Sequence, residues 1–181
     1  DGLEHIADSL KEFDADVITL QETHAADGMS HPEVLAELLG YDYWTNDEYA
    51  DSHVEDGFRL GQGIISKYPI KNHSFSLFHN PHYQAEWEEG LVTSHDKGLT
   101  SVEVTIDDRA VRLMTLHAIP FRPFDIDPLS KEAQPVREDM QSKIKNSEPV
   151  MLLQGDFNYD EKTLKLFLPD IFEPELQEAL Q

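Results

Sequence analysis

The chain has 181 residues, enough for one domain over 1–181 with a sizeable core, and it contains no cysteine. That absence excludes disulfide bonds, thiolate metal ligands and a cysteine nucleophile. No apolar run reaches the length that crosses a bilayer, and the first residues already have the pattern of a helix. The sequence therefore shows no signal peptide, and it leaves localisation and oligomeric state open.

Acidic residues outnumber basic residues by 36 to 14, which gives a formal net charge of −22. Nonspecific binding of DNA or RNA depends on lysine and arginine neutralising phosphates, so this balance disfavours extended contact with nucleic acid. Carboxylates suit divalent cations instead, although salt adaptation of the source organism would produce the same excess. The charge thus informs the choice of partner and says little about the fold.

The first half of the chain alternates helices with short strands. Apolar residues at helical spacing predict helices at 2–13 and 32–39, the second of which ends at Gly40. The acidic residues 46–60 are predicted to form an exposed loop. Short apolar or alternating runs predict strands at 17–20, 41–45, 61–66 and 72–79.

The second half of the chain begins with a predicted long loop at 80–96, whose histidines lack the spacing of a zinc site. Alternating apolar residues on both sides of an Asp-Asp-Arg turn then predict a β-hairpin with arms 98–106 and 110–116. A short buried strand is predicted at 150–153. Further helices are predicted at 131–146, 161–168 and 174–181.

Three predicted strands end in residues that can serve as acid, base or metal ligand: Glu22, His117 and Asp156. Before Asp156, Gly155 permits backbone conformations that are closed to other residues, so the chain can turn sharply there. Taken singly, Glu22 is typical of a solvated loop carboxylate and His117 of a structural histidine. Their shared position at strand ends makes all three candidates for one site.

Four blocks of the sequence resemble, in the same order, motifs of the endonuclease/exonuclease/phosphatase superfamily. That superfamily includes deoxyribonuclease I, abasic-site endonucleases, neutral sphingomyelinases and inositol-polyphosphate 5-phosphatases. The resemblance implies an α/β (α+β) fold, a four-layer α/β sandwich with two packed, mainly antiparallel sheets. The four blocks are residues 16–23 with their Gln-Glu pair, Gly61 to Ile70, Thr115-Leu116-His117, and Gly155-Asp156-Phe157-Asn158.

The same resemblance implies a divalent-metal-dependent phosphoester hydrolase, which would be a phosphodiesterase, a phosphatase or a nuclease. Glu22 would bind the metal, Mg²⁺ or Mn²⁺, and Asp156 would position and activate the attacking water. Asn158 would hold the phosphate or the water, and His117 would contact the phosphate or assist the leaving group. These roles suit phosphoester hydrolysis, which requires charge neutralisation, an oriented water and stabilisation of the departing oxygen.

Two further residues are candidates for substrate binding, Gln21 of the Gln-Glu pair and Lys97. The Asp96-Lys97-Gly98 stretch resembles the sphingomyelinase-like and bacterial branches, where Lys97 would contact phosphate, and a strand-edge lysine is the alternative. Because of the negative charge, a small phosphoester or a lipid headgroup is favoured over a long nucleic acid as substrate.

The chain departs from the superfamily pattern at both ends. The strand with an asparagine that precedes the first helix is missing, and so is the closing Asp-His pair. We therefore expect the chain to be truncated at both ends and, as a fragment, to be inactive. The alternative interpretation is a non-catalytic form of the fold that acts as a binding module.

Overall fold

The computed structural model of this protein describes residues 2–88, 90–145 and 151–169. They form two compact units, each assembled from several stretches of the chain. The predicted single domain over 1–181 stays a prediction, and the predicted helix at 174–181 lies outside the described residues. The first unit comprises 2–77, 97–117 and 151–156, and the second comprises the described parts of 78–96, 118–145 and 157–169.

Strands outnumber helices in the described residues, and none of the helices there is long and apolar enough to span a membrane. In chain order the elements are α1 (Gly2–Lys11), β1 (Val17–Ala26), β2 (Met29–Ser30), α2 (His31–Leu39), β3 (Tyr43–Trp44), β4 (Asp47–Asp51), β5 (Arg59–Ser66), β6 (Lys71–Leu77), β7 (Gln84–Trp87), β8 (Gly90–Thr93), β9 (Gly98–Ile106), β10 (Arg109–His117), a 3₁₀ turn (Arg122–Phe124), α3 (Gln134–Lys145), β11 (Met151–Asp156) and α4 (Glu161–Phe167).

The first sheet of the first unit is antiparallel and has the strand order β2-β1-β5-β3, with β4 also paired to β5. Ile18 and Ile65 on one face pack against apolar side chains of α1 and α2. Gly63 is required in β5, because a Cβ there would lie 2.3 Å from the Thr45 carbonyl oxygen and 2.8 Å from Pro32 Cγ. This close approach brings α2 directly onto the sheet.

The second sheet of the first unit has the order β11-β10-β9-β6 and is antiparallel except for the parallel pair β10 and β11. Ile64 of β5 is fully buried against Val102, Val104 and Leu113 of this sheet, so the two sheets pack face to face. The first unit therefore consists of a helical layer and two sheets. The predicted α/β class with two packed, mainly antiparallel sheets is confirmed.

The second unit is built around aromatic side chains, with the β7–β8 hairpin, the 3₁₀ turn, α3 and α4 around them. Phe121 stacks on Tyr159 at a centroid distance of 5.6 Å and contacts Tyr83 and Phe167. Arg137 of α3 lies over the Phe167 ring of α4, 5.9 Å from its centroid. Ring packing thus connects the helices of this unit with the segment that follows β10.

Two sequence predictions of local structure are wrong, and a third is confirmed over too short a range. The predicted loop at 46–60 contains β4, in which buried Asp47 and Tyr49 alternate with exposed Glu48. Because one of the buried residues is an acid, the stretch lacks the apolar alternation that predicts a strand. The predicted loop at 80–96 contains the β7–β8 hairpin, whose two strands pair with each other and with no other described strand, and they carry little apolar alternation. The strand predicted at 17–20 continues through polar residues to Ala26.

Candidate functional site

Glu22 lies within a strand, at an irregularity in the pairing of β1 with β5, rather than beyond a strand end as predicted. Gln21 pairs with Gln62 and Thr23 with Gly61, so Glu22 is an extra residue with no partner in the ladder. Its φ of 54° is in the left-handed region that non-glycine residues rarely adopt. The bulge turns the Glu22 side chain out of the regular alternation and leaves it 57% exposed.

His117 and Asp156 lie opposite each other at the ends of the parallel strands β10 and β11. Their proximity depends on Gly155, which has a φ of 142° and whose Cβ, if present, would lie 2.0 Å from the Leu116 carbonyl oxygen. The His117 Nε2 to Asp156 Oδ2 distance is 3.8 Å, longer than a hydrogen bond. His117 is buried, whereas the Asp156 side chain is 52% exposed.

Lys97 is a buried cation at the centre of the site, only 5% exposed just before β9. Its Nζ lies 3.1 Å from His117 Nδ1 and 3.5 Å from Glu22 Oε1. A buried ammonium is costly unless it has partners, and these two supply them. Lys97 thus lies buried directly before β9, and its predicted contact with phosphate stays a prediction.

Tyr49 of β4, which sequence reasoning missed, completes this cluster. Its hydroxyl lies 3.3 Å from His117 Nδ1, and its ring centroid is 5.1 Å from Lys97 Nζ. The tyrosine and histidine rings meet edge to face at 79° with centroids 6.3 Å apart. We refer to Glu22, Tyr49, Lys97, His117 and Asp156 as the strand-end cluster.

Burial governs the pKa values inside the strand-end cluster. Burial, together with the nearby Lys97 ammonium, lowers the pKa of His117 to about 4, although Glu22 and Asp156 oppose the shift. Burial also lowers the pKa of Lys97, again against the attraction of the same two carboxylates. Burial raises the pKa of the Tyr49 hydroxyl well above its usual value of 10.0. Near neutral pH the imidazole is therefore uncharged and the phenol is protonated.

Buried and partly buried polar side chains join the two sheets near the cluster. Gln21 donates from Nε2 to Thr115 Oγ1 over 2.7 Å. Gln62 Nε2 donates to Thr100 Oγ1 at 2.9 Å and to the Thr115 carbonyl oxygen at 3.1 Å. Thr100 in turn donates to Asp47 Oδ2 over 2.6 Å. The Gln21 amide is thus used between β1 and β10, and its predicted contact with substrate stays a prediction.

Asn158 belongs to the second unit, where its side-chain amide donates to the Ala118 carbonyl oxygen over 2.7 Å. It has a φ of 57° and lines a cavity of about 610 Å³. We refer to this cavity, formed largely by loops and the start of α4, as the loop pocket. Its lining includes Arg122, which makes no side-chain hydrogen bond or ion pair with any described residue, and Asp125. The remaining lining residues are Phe121, Ile126, Asp127, Pro128, Tyr159, Asp160 and Thr163.

Four of the six residues predicted for the site belong to the strand-end cluster of the first unit: Glu22, Lys97, His117 and Asp156. Gln21 lies beneath them, and Asn158 is described in the second unit. Tyr49 could have been found only by recognising that the acidic stretch around it alternates with period two.

The cluster offers oxygen ligands for a hard cation. Glu22 Oε1 lies 3.5 Å from Lys97 Nζ, and Asp156 Oδ2 lies 3.8 Å from His117 Nε2, so both carboxylates lie beside this buried pair. Within the described ranges no group of three or more His, Cys, Asp or Glu could hold a metal ion. Mg²⁺ suits such a site, because it commonly takes one or two carboxylates and completes its coordination with water and substrate phosphate.

Comparison with known proteins gives a consistent picture of the fold. The sequence profile of the Endonuclease/Exonuclease/phosphatase family matches residues 1–169. Among curated proteins no match reaches significance. Among solved structures, an endonuclease/exonuclease/phosphatase from Beutenbergia cavernae DSM 12333 superposes with a TM-score of 0.69 at 21% identity, over 94% of this chain and 48% of that chain.

Two further structures have the same fold. A family protein from Leptotrichia buccalis C-1013-b has a TM-score of 0.63 at 16% identity, over 93% of this chain and 66% of that chain. Sphingomyelinase C from Streptomyces griseocarneus has a TM-score of 0.56 at 19% identity, over 92% and 63%. The chain thus spans between about half and two thirds of the proteins it resembles.

Proposed function

The chain belongs to the endonuclease/exonuclease/phosphatase family, and we propose that its function is divalent-metal-dependent hydrolysis of a phosphoester. The main support is the strand-end cluster, in which Lys97 and His117 are buried beside the exposed carboxylates of Glu22 and Asp156. Burying a lysine and a histidine costs free energy, and a module that only binds a partner has no need of that arrangement.

Glu22 is proposed to hold the cation, Mg²⁺ or Mn²⁺, from its bulge on β1, with Asp156 as the neighbouring carboxylate. Such a cation, when bound, neutralises negative charge on the phosphoryl oxygens. The Glu22 side chain is about half exposed, which suits this role, because a cation bound there would also need to contact water and substrate. The buried Lys97 provides a fixed positive charge next to the same carboxylate.

Asp156 is proposed to act on the attacking water. Its carboxylate is held at a strand end by the β10–β11 pairing, so it can orient a water and accept a proton from it. Asn158, two residues further along the chain, is proposed to hold the phosphate or the water. A carboxylate on a rigid strand end keeps its geometry without paying the entropy of ordering a loop.

His117 is proposed to donate a hydrogen bond to the phosphate. The pKa of about 4 leaves the imidazole neutral near pH 7, so the ring has no excess proton to give to a leaving group in the resting state. A neutral imidazole still has one N–H donor for an anionic oxygen. This favours phosphate contact over the alternative role of assisting the leaving group.

The substrate is proposed to be a small phosphoester or a lipid headgroup. With 36 acidic and 14 basic residues, the chain repels a long polyanion. A substrate panel of phosphomonoesters, phosphodiesters, choline phospholipids and DNA would test this preference.

The proposed function predicts that Asp156→Asn lowers kcat of the whole protein by about a thousandfold, because the water loses its base and orienting group. A chelator should stop hydrolysis by the unaltered protein, and Mg²⁺ should restore it. Initial rates on the best substrate of the panel provide the measurement.

The matched control is Asp108→Asn, which changes an equally simple carboxylate in the turn between β9 and β10. It should leave the rate unchanged. Near-normal hydrolysis by Asp156→Asn, or activity that persists in a chelator, would contradict the proposal. Persistence in a chelator would rule out a required metal, and a substrate panel without any hydrolysis would favour the alternative, a non-catalytic binding module.

A further inference from the structure

His117 Nδ1 faces two side chains that can donate hydrogen bonds. Lys97 Nζ is 3.1 Å away and the Tyr49 hydroxyl is 3.3 Å away. An ammonium has three N–H donors and no acceptor, so a hydrogen bond between Lys97 and Nδ1 requires Nδ1 to be the acceptor. In a neutral imidazole the single proton then lies on Nε2.

The opposite tautomer is disfavoured by the same geometry. A proton on Nδ1 would point at the Lys97 ammonium, so the hydrogen bond would be replaced by a contact between two donors. In that tautomer Nε2 would turn an unshared electron pair toward the Asp156 carboxylate, 3.8 Å away. Both ends of the ring therefore select the Nε2–H form.

Tyr49 limits the movement of Lys97. The Lys97 ammonium lies over the Tyr49 ring, 5.1 Å from its centroid, and both residues are at most 5% exposed. A buried cation over an aromatic face is attracted by the ring quadrupole, and its burial keeps it from moving into solvent. The ring also packs edge-on against His117, which fixes the plane of the imidazole.

We infer that Lys97 and Tyr49 are positioning residues that fix His117 as the Nε2–H tautomer and direct that N–H toward the Asp156 side of the cluster. The inference deepens the proposed function, because it assigns Lys97 to orienting His117 instead of contacting phosphate. It concerns a tautomer that can be observed without substrate, metal or turnover. Its failure and that of the proposed hydrolysis are thus separate outcomes.

The direct test is ¹⁵N NMR of the histidine side chains, which distinguishes protonated from unprotonated ring nitrogens. The chain is ¹⁵N-labelled, His117 is assigned by comparison with His117→Gln, and spectra are recorded near neutral pH. The expected signal is an unprotonated Nδ1 and a protonated Nε2. A protonated Nδ1 in the unaltered chain would overturn the inference, whatever the behaviour of any variant.

Variants then separate the two positioning residues. Lys97→Met keeps the length of the side chain without its donors, and it should convert His117 to a mixture of tautomers. Tyr49→Phe should leave the tautomer unchanged because the ring over Lys97 remains, whereas Tyr49→Leu should give a mixture. A pure Nε2–H signal in folded Lys97→Met would overturn the role of Lys97, and the same signal in Tyr49→Leu would overturn that of Tyr49.

Matched controls are Lys71→Met, an exposed lysine of β6, and Tyr43→Phe on β3. Neither should alter the His117 spectrum. In the whole protein, Lys97→Met should lower kcat by about tenfold to a hundredfold with little change in KM, as expected for a residue that orients a catalytic group. An equal or larger effect confined to KM would indicate direct substrate contact and contradict the inference.

Discussion

The strand-end cluster of the first unit and the loop pocket of the second unit are built in different ways. In the cluster, Tyr49, Lys97 and His117 are buried and contact one another, and Gln21 and Gln62 join the supporting sheets below. The loop pocket is lined by residues of connecting segments and the first turn of α4, and Arg122 there is exposed. Fixed side-chain positions are therefore expected in the first region, and adaptable ones in the second.

The largest stability effect that would test this contrast comes from acidification. The pKa of His117 is about 4 in the folded chain against a usual value of 6.5, so between those pH values the unfolded state binds a proton that the folded state does not. The contribution of uncharged His117 to the free energy of unfolding is therefore fully present above pH 6.5 and is lost as the pH falls toward 4. It amounts to up to about 3 kcal/mol of the free energy of unfolding.

Urea unfolding at several pH values would measure this effect. His117→Gln should remove it, so the difference in stability between the unaltered chain and the variant should shrink or reverse as the pH falls. His79→Gln, at an exposed position in the second unit, is the control and should keep the full pH dependence. The same pH dependence of stability in both variants would show that His117 is not its source and would contradict the contrast between the two regions.

A smaller loss of stability is expected from the polar link between the sheets. Thr100→Val removes the hydroxyl that donates to Asp47 and accepts from Gln62, and it leaves both buried partners short of a hydrogen bond. The free energy of unfolding should fall by about 2 kcal/mol. Thr105→Val, on an exposed position of the same strand, should change it by less than about 0.5 kcal/mol. Similar values for both would show that the link does not stabilise the sandwich.

The smallest effect is expected in the loop pocket. Arg122→Ala should leave the free energy of unfolding within about 0.5 kcal/mol, because the side chain has no polar partner among the described residues. Urea unfolding of the variant and of the unaltered chain provides the measurement. A loss above about 1 kcal/mol would show that the Arg122 side chain is held in place and would contradict the contrast between the two regions.

The parts of the site that follow local rules were predictable from the sequence. The apolar run before Gly155 predicted the strand that presents Asp156, and the hairpin pattern predicted the strand that ends at His117. Both predictions rest on short-range periodicity and on a glycine whose conformation other residues cannot adopt. The α/β class followed from the order of these elements and from the family motifs.

The parts that depend on distant partners were not predictable. Buried Lys97 is partnered by the Glu22 carboxylate, 75 positions away, and by the His117 ring nitrogen, 20 positions away, and no local pattern reports such contacts. Tyr49 lies in an acidic stretch that reads as a loop. It forms a strand in which the buried Asp47 is hydrogen-bonded to Thr100 and His73, which are distant in the sequence. The bulge at Glu22 follows from the register of β1 against β5, which only the folded sheet defines.

The bulge in β1 supplies the proposed metal ligand, Glu22, but this residue pairs with nothing in the sheet. Gln21 and Thr23 already pair with consecutive residues of β5, so an uninterrupted ladder would form if position 22 were deleted. Glu22 is thus an insertion that the sheet does not require, held at a φ that costs on the order of 1 kcal/mol. Shortening the strand by this residue would give a more regular sheet without the carboxylate, and Glu22→Gly would relieve the backbone while keeping the register.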